Sequence, residues 1–228
     1  MKAPVRAADE TAPLSMTPNV AGGIMLPSLD METAALVQLA AVLAGGSESQ
    51  VRVALADVVG RVRDVWVEEV ILQTYLFAGF PRALNAAREW RRLSGVPAPE
   101  QDLYGIEEPL ERQEKGEATC STVYGRFYER LRVNIHALHP ALDRWMVEEG
   151  YGKVLSRAPL DLARRELCVV AACAIARQDR QLHSHLHGAL HAGAAEATVS
   201  AALDVIAPLL HADDVRRYQG LWARVLGK

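Results

Sequence analysis

The stretch RELCVVAACAIARQDRQLHSHLHGALHAG, residues 165–193, holds the residues best suited to chemistry. Four of the chain's seven histidines, His183, His185, His187 and His191, fall within nine positions of it. Imidazole is the one side chain whose ordinary titration lies between about pH 5 and 8. Two chemistries are therefore open: proton transfer by one ring, or metal chelation by several. His183, His187 and His191 share a helix face at i, i+4, i+8 spacing, which suits chelation. No further His or carboxylate stands at a ligand spacing elsewhere, so no metal is expected. Those three are read as lining a subunit interface or a wet face. His185 points about 200° away from His183 around the helix and cannot join them.

That leaves His185 as the candidate for proton transfer, and it needs a partner. Glu166, at the start of the preceding apolar segment, could raise the ring's basicity or orient it. Each residue also has a plain reading: His185 as a satisfied core histidine, Glu166 as a complement to the helix dipole. In a straight antiparallel hairpin turning near residue 178, the two differ by an axial offset of roughly 7–8 Å. Direct contact would then require crossing helices or a bridging water.

The elements that must position this pair are helices. Half of the 228 residues are hydrophobic and aromatics are few, which favours helices packed on helices. Expected helices run over 30–44, 47–59, 65–75, 82–93, 121–133, 138–149, 161–176, 180–192, 196–209 and 212–226. Ser28 or Asp30, then Asp161 and Asp179, are candidate N-caps, with Gly45-Gly46 and Gly193 candidate stops. Residues 1–27 read as a flexible arm and 94–117, rich in Pro, Gly and charge, as a linker. Gly150 and Gly152 are expected to break the helix before them. Phe77 to Pro81 reads as a packing turn rather than a pocket wall.

Composition narrows the function. A net charge of −3 gives no electrostatic case for nucleic acid or an anionic membrane. Three cysteines without CxxC spacing argue for a reducing compartment, and a cytoplasmic protein is expected. The first residues lack the apolar run of a secretory signal.

An internal repeat is visible too. Leu36 to Ala44 aligns with Leu167 to Ile175 at an offset of 131 residues. Carried forward, Gln50 meets Gln181 and Leu55 meets Leu186, while Ala35 stands opposite Glu166 and Ala54 opposite His185. The reading is two diverged copies, over 28–95 and 118–228 with 96–117 between them, the second alone chemically equipped.

Several segments together resemble the carboxymuconolactone decarboxylase family, which includes the alkyl hydroperoxidase D proteins. Tyr151-Gly-Lys-Val-Leu-Ser-Arg-Ala-Pro-Leu160, Arg165-Glu-Leu167, and His185 followed by Gly193 are similar to its C-terminal motifs. Glu69 to Asn85 is similar to its "E-x-L-x-x-x-Y-A-G-x-P" segment. The resemblance implies an all-α alkyl hydroperoxidase D-like bundle. It also implies homo-oligomers of threefold symmetry and decarboxylation of a small anionic lactone carboxylate without any cofactor. His185 and Glu166 then become the catalytic pair, with Arg165, Arg157, Arg177 and Gln181 as candidates to hold the substrate anion. The family's peroxidases carry a Cys-x-x-Cys pair where this chain has Gln178 and Gln181, so a thiol peroxidase is the least expected activity. A catalytically degenerate oligomeric or small-molecule-binding protein is the alternative.

Overall fold

The computed structural model describes residues 28–228, which are helical with no strand among them. The arm read over 1–27 lies outside the described residues. The chain begins with α1 (Met31–Gly45), α2 (Glu48–Val58), α3 (Asp64–Ala78) and α4 (Phe80–Ser94). Local residues set these boundaries. The Asp30 carboxylate accepts from the Thr33 amide, and Ser47 and Gln50 form a reciprocal capping box. Pro81 sits in the first turn of α4, and Gly95 ends it in the left-handed region at φ +70°.

A further group follows: α5 (Pro109–Tyr124), α6 (Tyr128–Leu138) and α7 (Pro140–Trp145), the last running straight into a π-helical segment, Met146–Leu155. Two expectations change here. The stretch read as linker is helical from Pro109 onward, because proline is at home in a first helical turn. Gly150 and Gly152 do not break their helix, which widens to π spacing and continues to Leu155.

The role of Gly152 is close approach. A Cβ there would overlap the Arg112 carbonyl oxygen, and one at Gly116 would overlap that of Val147. Backbone therefore meets backbone where α5 crosses the π segment. Gly152→Ala should cost about 1–3 kcal/mol by overpacking, read as a lower midpoint in urea unfolding. An unchanged midpoint would show that the crossing can relax.

The chain closes with α8 (Leu162–Ile175), α9 (Asp179–His191), α10 (Glu196–Ile206) with a 3-10 turn to Leu209, and α11 (Ala212–Val225). Asp161 caps α8 through the Arg164 amide, whereas Asp179 is the first residue of α9 and Gln178 holds its cap position. At the centre α1 packs along α8, and Leu36, Val37, Ala41, Leu167, Val170 and Ala171 are fully buried. Burial on nearly every side explains why α8 is apolar all round.

Helix starts in α1–α4 and α8–α11 differ by 131, 131, 132 and 132 residues. Asp30 and Asp161, offset by 131, are both N-caps of their helices. Arg164 joins them, donating to Asp30 Oδ2 at 2.9 Å and Asp161 Oδ2 at 2.6 Å. Its Nε donates to Thr33 Oγ1 at 2.9 Å, so two positions matched at the same offset touch each other. The packing is reciprocal: α3 lies on α8, and α10 lies on α1.

Candidate active site

His185 and Glu166 meet directly. The ring's Nδ1 lies 2.7 Å from Glu166 Oε2, and the two side chains are 6% and 0% exposed. The expected axial gap is closed because α9 approaches α8 at Gly188. A Cβ at that position would overlap the Glu166 carboxylate and crowd Val123. A carboxylate can only accept, so Nδ1 carries the proton and donates it, which fixes the tautomer. Nε2, on the far side of the ring, has no hydrogen-bond partner among the described residues.

Two half-buried aromatic rings flank the imidazole. Phe77, from α3, stands edge-on with centroids 6.0 Å apart, and Tyr124, from the end of α5, lies tilted at 6.3 Å. Phe77 is thus a wall of the site, contrary to its reading as part of a packing turn. Behind Tyr124 stands Tyr151, fully enclosed, with ring centroids 6.0 Å apart and its hydroxyl hydrogen-bonded to that of Tyr124. Burial raises the pKa of both phenols, with the nearby Glu166 charge adding to it, so both stay protonated. Sequence reasoning did not find Tyr124 or Tyr151. The π segment that aims Tyr151 inward leaves no mark in a 3.6-residue periodicity.

The candidate anion clamps lie elsewhere. Arg165, 0% exposed, donates from Nη2 to Glu69 Oε2 at 2.7 Å and to the Arg157 carbonyl at 2.9 Å. Arg157 donates from Nε to Glu69 at 2.9 Å and holds Asp102 with both Nη atoms, at 3.0 and 2.9 Å. Burial works against the charge of both guanidiniums. In Arg157 the bonds to Asp102 and Glu69 outweigh it and raise the pKa, while in Arg165 burial wins and lowers it. Both arginines thus build a buried ion network rather than a clamp. Arg177, in the left-handed region at φ +55° in the turn before α9, donates to Asp214 at 3.0 Å. Gln181 is exposed and makes no hydrogen bond with His185 or Glu166.

The other histidines form a column on the opposite face of α9. His183 and His187 are edge-on at 5.1 Å, His187 and His191 stacked at 6.3 Å, and His191 Nδ1 donates to the Val123 carbonyl at 2.8 Å. Among the described residues no three His, Cys, Asp or Glu groups are placed to hold a metal. The thiols of Cys120, Cys168 and Cys173 are all buried, and burial pushes each up to about 12. None is a thiolate at neutral pH, as disulfide-cycling peroxidase chemistry would demand.

The fold and site define an all-helical protein with a buried, carboxylate-oriented histidine between two aromatic rings. Residues 140–217 match the model of the carboxymuconolactone decarboxylase family, a span that includes both Glu166 and His185. The match supports the family resemblance read from the residues. The chain is also 26% identical over 143 residues to "Peroxisomal protein 2" of Schizosaccharomyces pombe (strain 972 / ATCC 24843). That alignment covers 61% of this chain and 66% of the relative, so the chain spans about two thirds of the relative's length. No helix among the described residues is long and apolar enough to cross a membrane.

Proposed function

We propose that the protein is a cofactor-independent decarboxylase-like enzyme that moves a proton through His185 Nε2 on a small carboxylate substrate. The observation that carries this reading is the 2.7 Å bond from His185 Nδ1 to Glu166, with the opposite nitrogen unengaged. Glu166 holds the ring by accepting from Nδ1, which leaves Nε2 as the nitrogen that faces the substrate. When Nε2 also carries a proton, taken from solvent, it delivers that proton to the carbon that loses CO2, and the ring returns to its Nδ1–H tautomer. The bond to the carboxylate carbon breaks, its electron pair stays on the substrate carbon, and the proton from Nε2 neutralises it. The apolar walls Phe77 and Tyr124 keep bulk water from competing for that carbanion.

The N-terminal unit is read as a diverged second copy of the C-terminal one. This is supported by the matched helix starts and by the paired caps Asp30 and Asp161. Homo-oligomers, trimeric or a multiple of three, are part of the same reading. Exposed Val133, Leu138, Leu142 and Trp145 on α6 and α7 offer them an apolar surface. The compartment is proposed to be a reducing one: the cytoplasm, or a peroxisome like the one in the relative's name.

The test is release of CO2 from 4-carboxymuconolactone by the full chain, followed with the enol-lactone product. Turnover is expected in the wild type and absent in His185→Gln. A wild type without turnover, or an undiminished variant, overturns the reading. The second reading is a binding protein on a degenerate site, favoured by the commitment of Arg157 and Arg165 to Glu69.

A further inference from the structure

A cleft lies where, by the repeat, the first copy would have carried the same pair. It has a volume of about 490 Å³ and is walled by Ala35, Leu39, Val53, Ala54, Val58 and Leu209. At the offset of 131, Ala35 occupies the position of Glu166 and Ala54 that of His185. Both side chains of the proton-transfer pair are thus reduced to methyl groups, and their space belongs to the cleft. The third wall follows the same plan. Leu209 closes the cleft from the end of α10's extension, as Phe77 flanks His185 from the end of α3. One difference keeps this side open. On the His185 side, α5 brings Val123 and Tyr124 against the pair, and no helix among the described residues does so beside Ala54.

The lining also dictates what such a cleft would accept. None of its residues is Arg, Lys or His, so nothing there can hold an anion. Its single acid, Asp57, is paired with Arg61 at 2.5 Å. What remains is an apolar floor with Gln38, Ser49 and Gln50 at its edge, a composition suited to a small hydrophobic ligand.

We propose that this cleft is a binding site for a small, uncharged, apolar molecule, occupying the place where the first copy lacks its proton-transfer pair. The assignment rests on the two-copy reading above but not on turnover at His185. The probe is N-phenyl-1-naphthylamine, neutral and fluorescent in apolar surroundings, titrated into the full-length protein. The wild type is expected to give saturable, single-site enhancement. Ala54→Phe and Ala35→Phe fill the cleft and should weaken binding at least about tenfold, whereas His185→Gln should leave it unchanged. Val53→Asp, at an exposed edge that needs no repacking, should weaken it as well; unchanged circular dichroism shows which variants are folded. Three results overturn the proposal: no saturable binding by the wild type, equal affinity in the folded variants, or binding lost in His185→Gln. Sedimentation supplies a fourth, since an oligomer broken by Val53→Asp would show a second copy seated in the cleft. A failure of the decarboxylase reading appears only in the CO2 assay and leaves this titration intact.

Discussion

Glu69→Ala should lower the free energy of unfolding by about 3–5 kcal/mol, the largest stability effect expected of any single substitution here. The carboxylate is 2% exposed and is shared by Arg157 and Arg165. Removing it leaves Arg165, wholly buried, with only the Leu160 and Arg157 carbonyls as acceptors. An ion out of water without a counter-charge is costly, whereas the intact pair roughly balances its own desolvation. The penalty therefore belongs to the orphaned guanidinium. Pairing Glu69→Leu with Arg165→Met should accordingly recover most of the loss. Urea unfolding of the single and double variants checks both statements, and a single-variant loss below about 1 kcal/mol would contradict them. Arg157 also holds the Asp102 carboxyl below the usual carboxylate range, mainly by hydrogen bonding. That clasp is fully present above the unfolded value of about 4, and is lost as pH falls through the depressed folded value.

Glu166→Gln should cut turnover by about 10²–10⁴-fold, close to the loss in His185→Gln, while leaving the helices in place. An amide is nearly isosteric with the carboxylate and can still accept the Nδ1 proton. It carries no charge, however, so the imidazolium loses its stabilising partner. It can also turn its NH2 toward Nδ1 and favour the wrong tautomer. Loss in kcat with KM held is the signature of a group acting on the proton-transfer residue rather than on binding. A rise in KM alone would assign Glu166 to substrate contact or to packing. Nitrogen NMR of the His185 ring gives an independent reading, with the Nδ1–H tautomer expected in the wild type and a mixture in the variant.

Much of this architecture was legible because its signals are local. Asp30 and Asp161 announce α1 and α8 by side-chain capping, and the apolar run from Leu167 marks a helix with no solvent face. Signals that depend on distant backbone were not. Gly152 looks like a breaker until it is seen against the carbonyl of Arg112 on another segment. Arg157 and Arg165 look like anion clamps because their partner, Glu69, precedes them by 88 and 96 residues. For His185 and Glu166, the sequence offered the pairing but not the direct contact. A straight-hairpin calculation ignores the closer approach that one glycine, Gly188, allows.

The reciprocal packing of α3 on α8 and α10 on α1 has a consequence for how this molecule can be divided. Severing the extended connection between α4 and α5 would yield two fragments, neither owning all the residues of either proposed site. Phe77 would leave with one piece and His185 with the other, and Leu209 would part from Ala54 in the same way. Function in such a split protein would return only on reassociation, with a concentration dependence that the continuous polypeptide never shows. The continuous chain thus keeps α3 beside α8 and α10 beside α1 without any cost of reassociation.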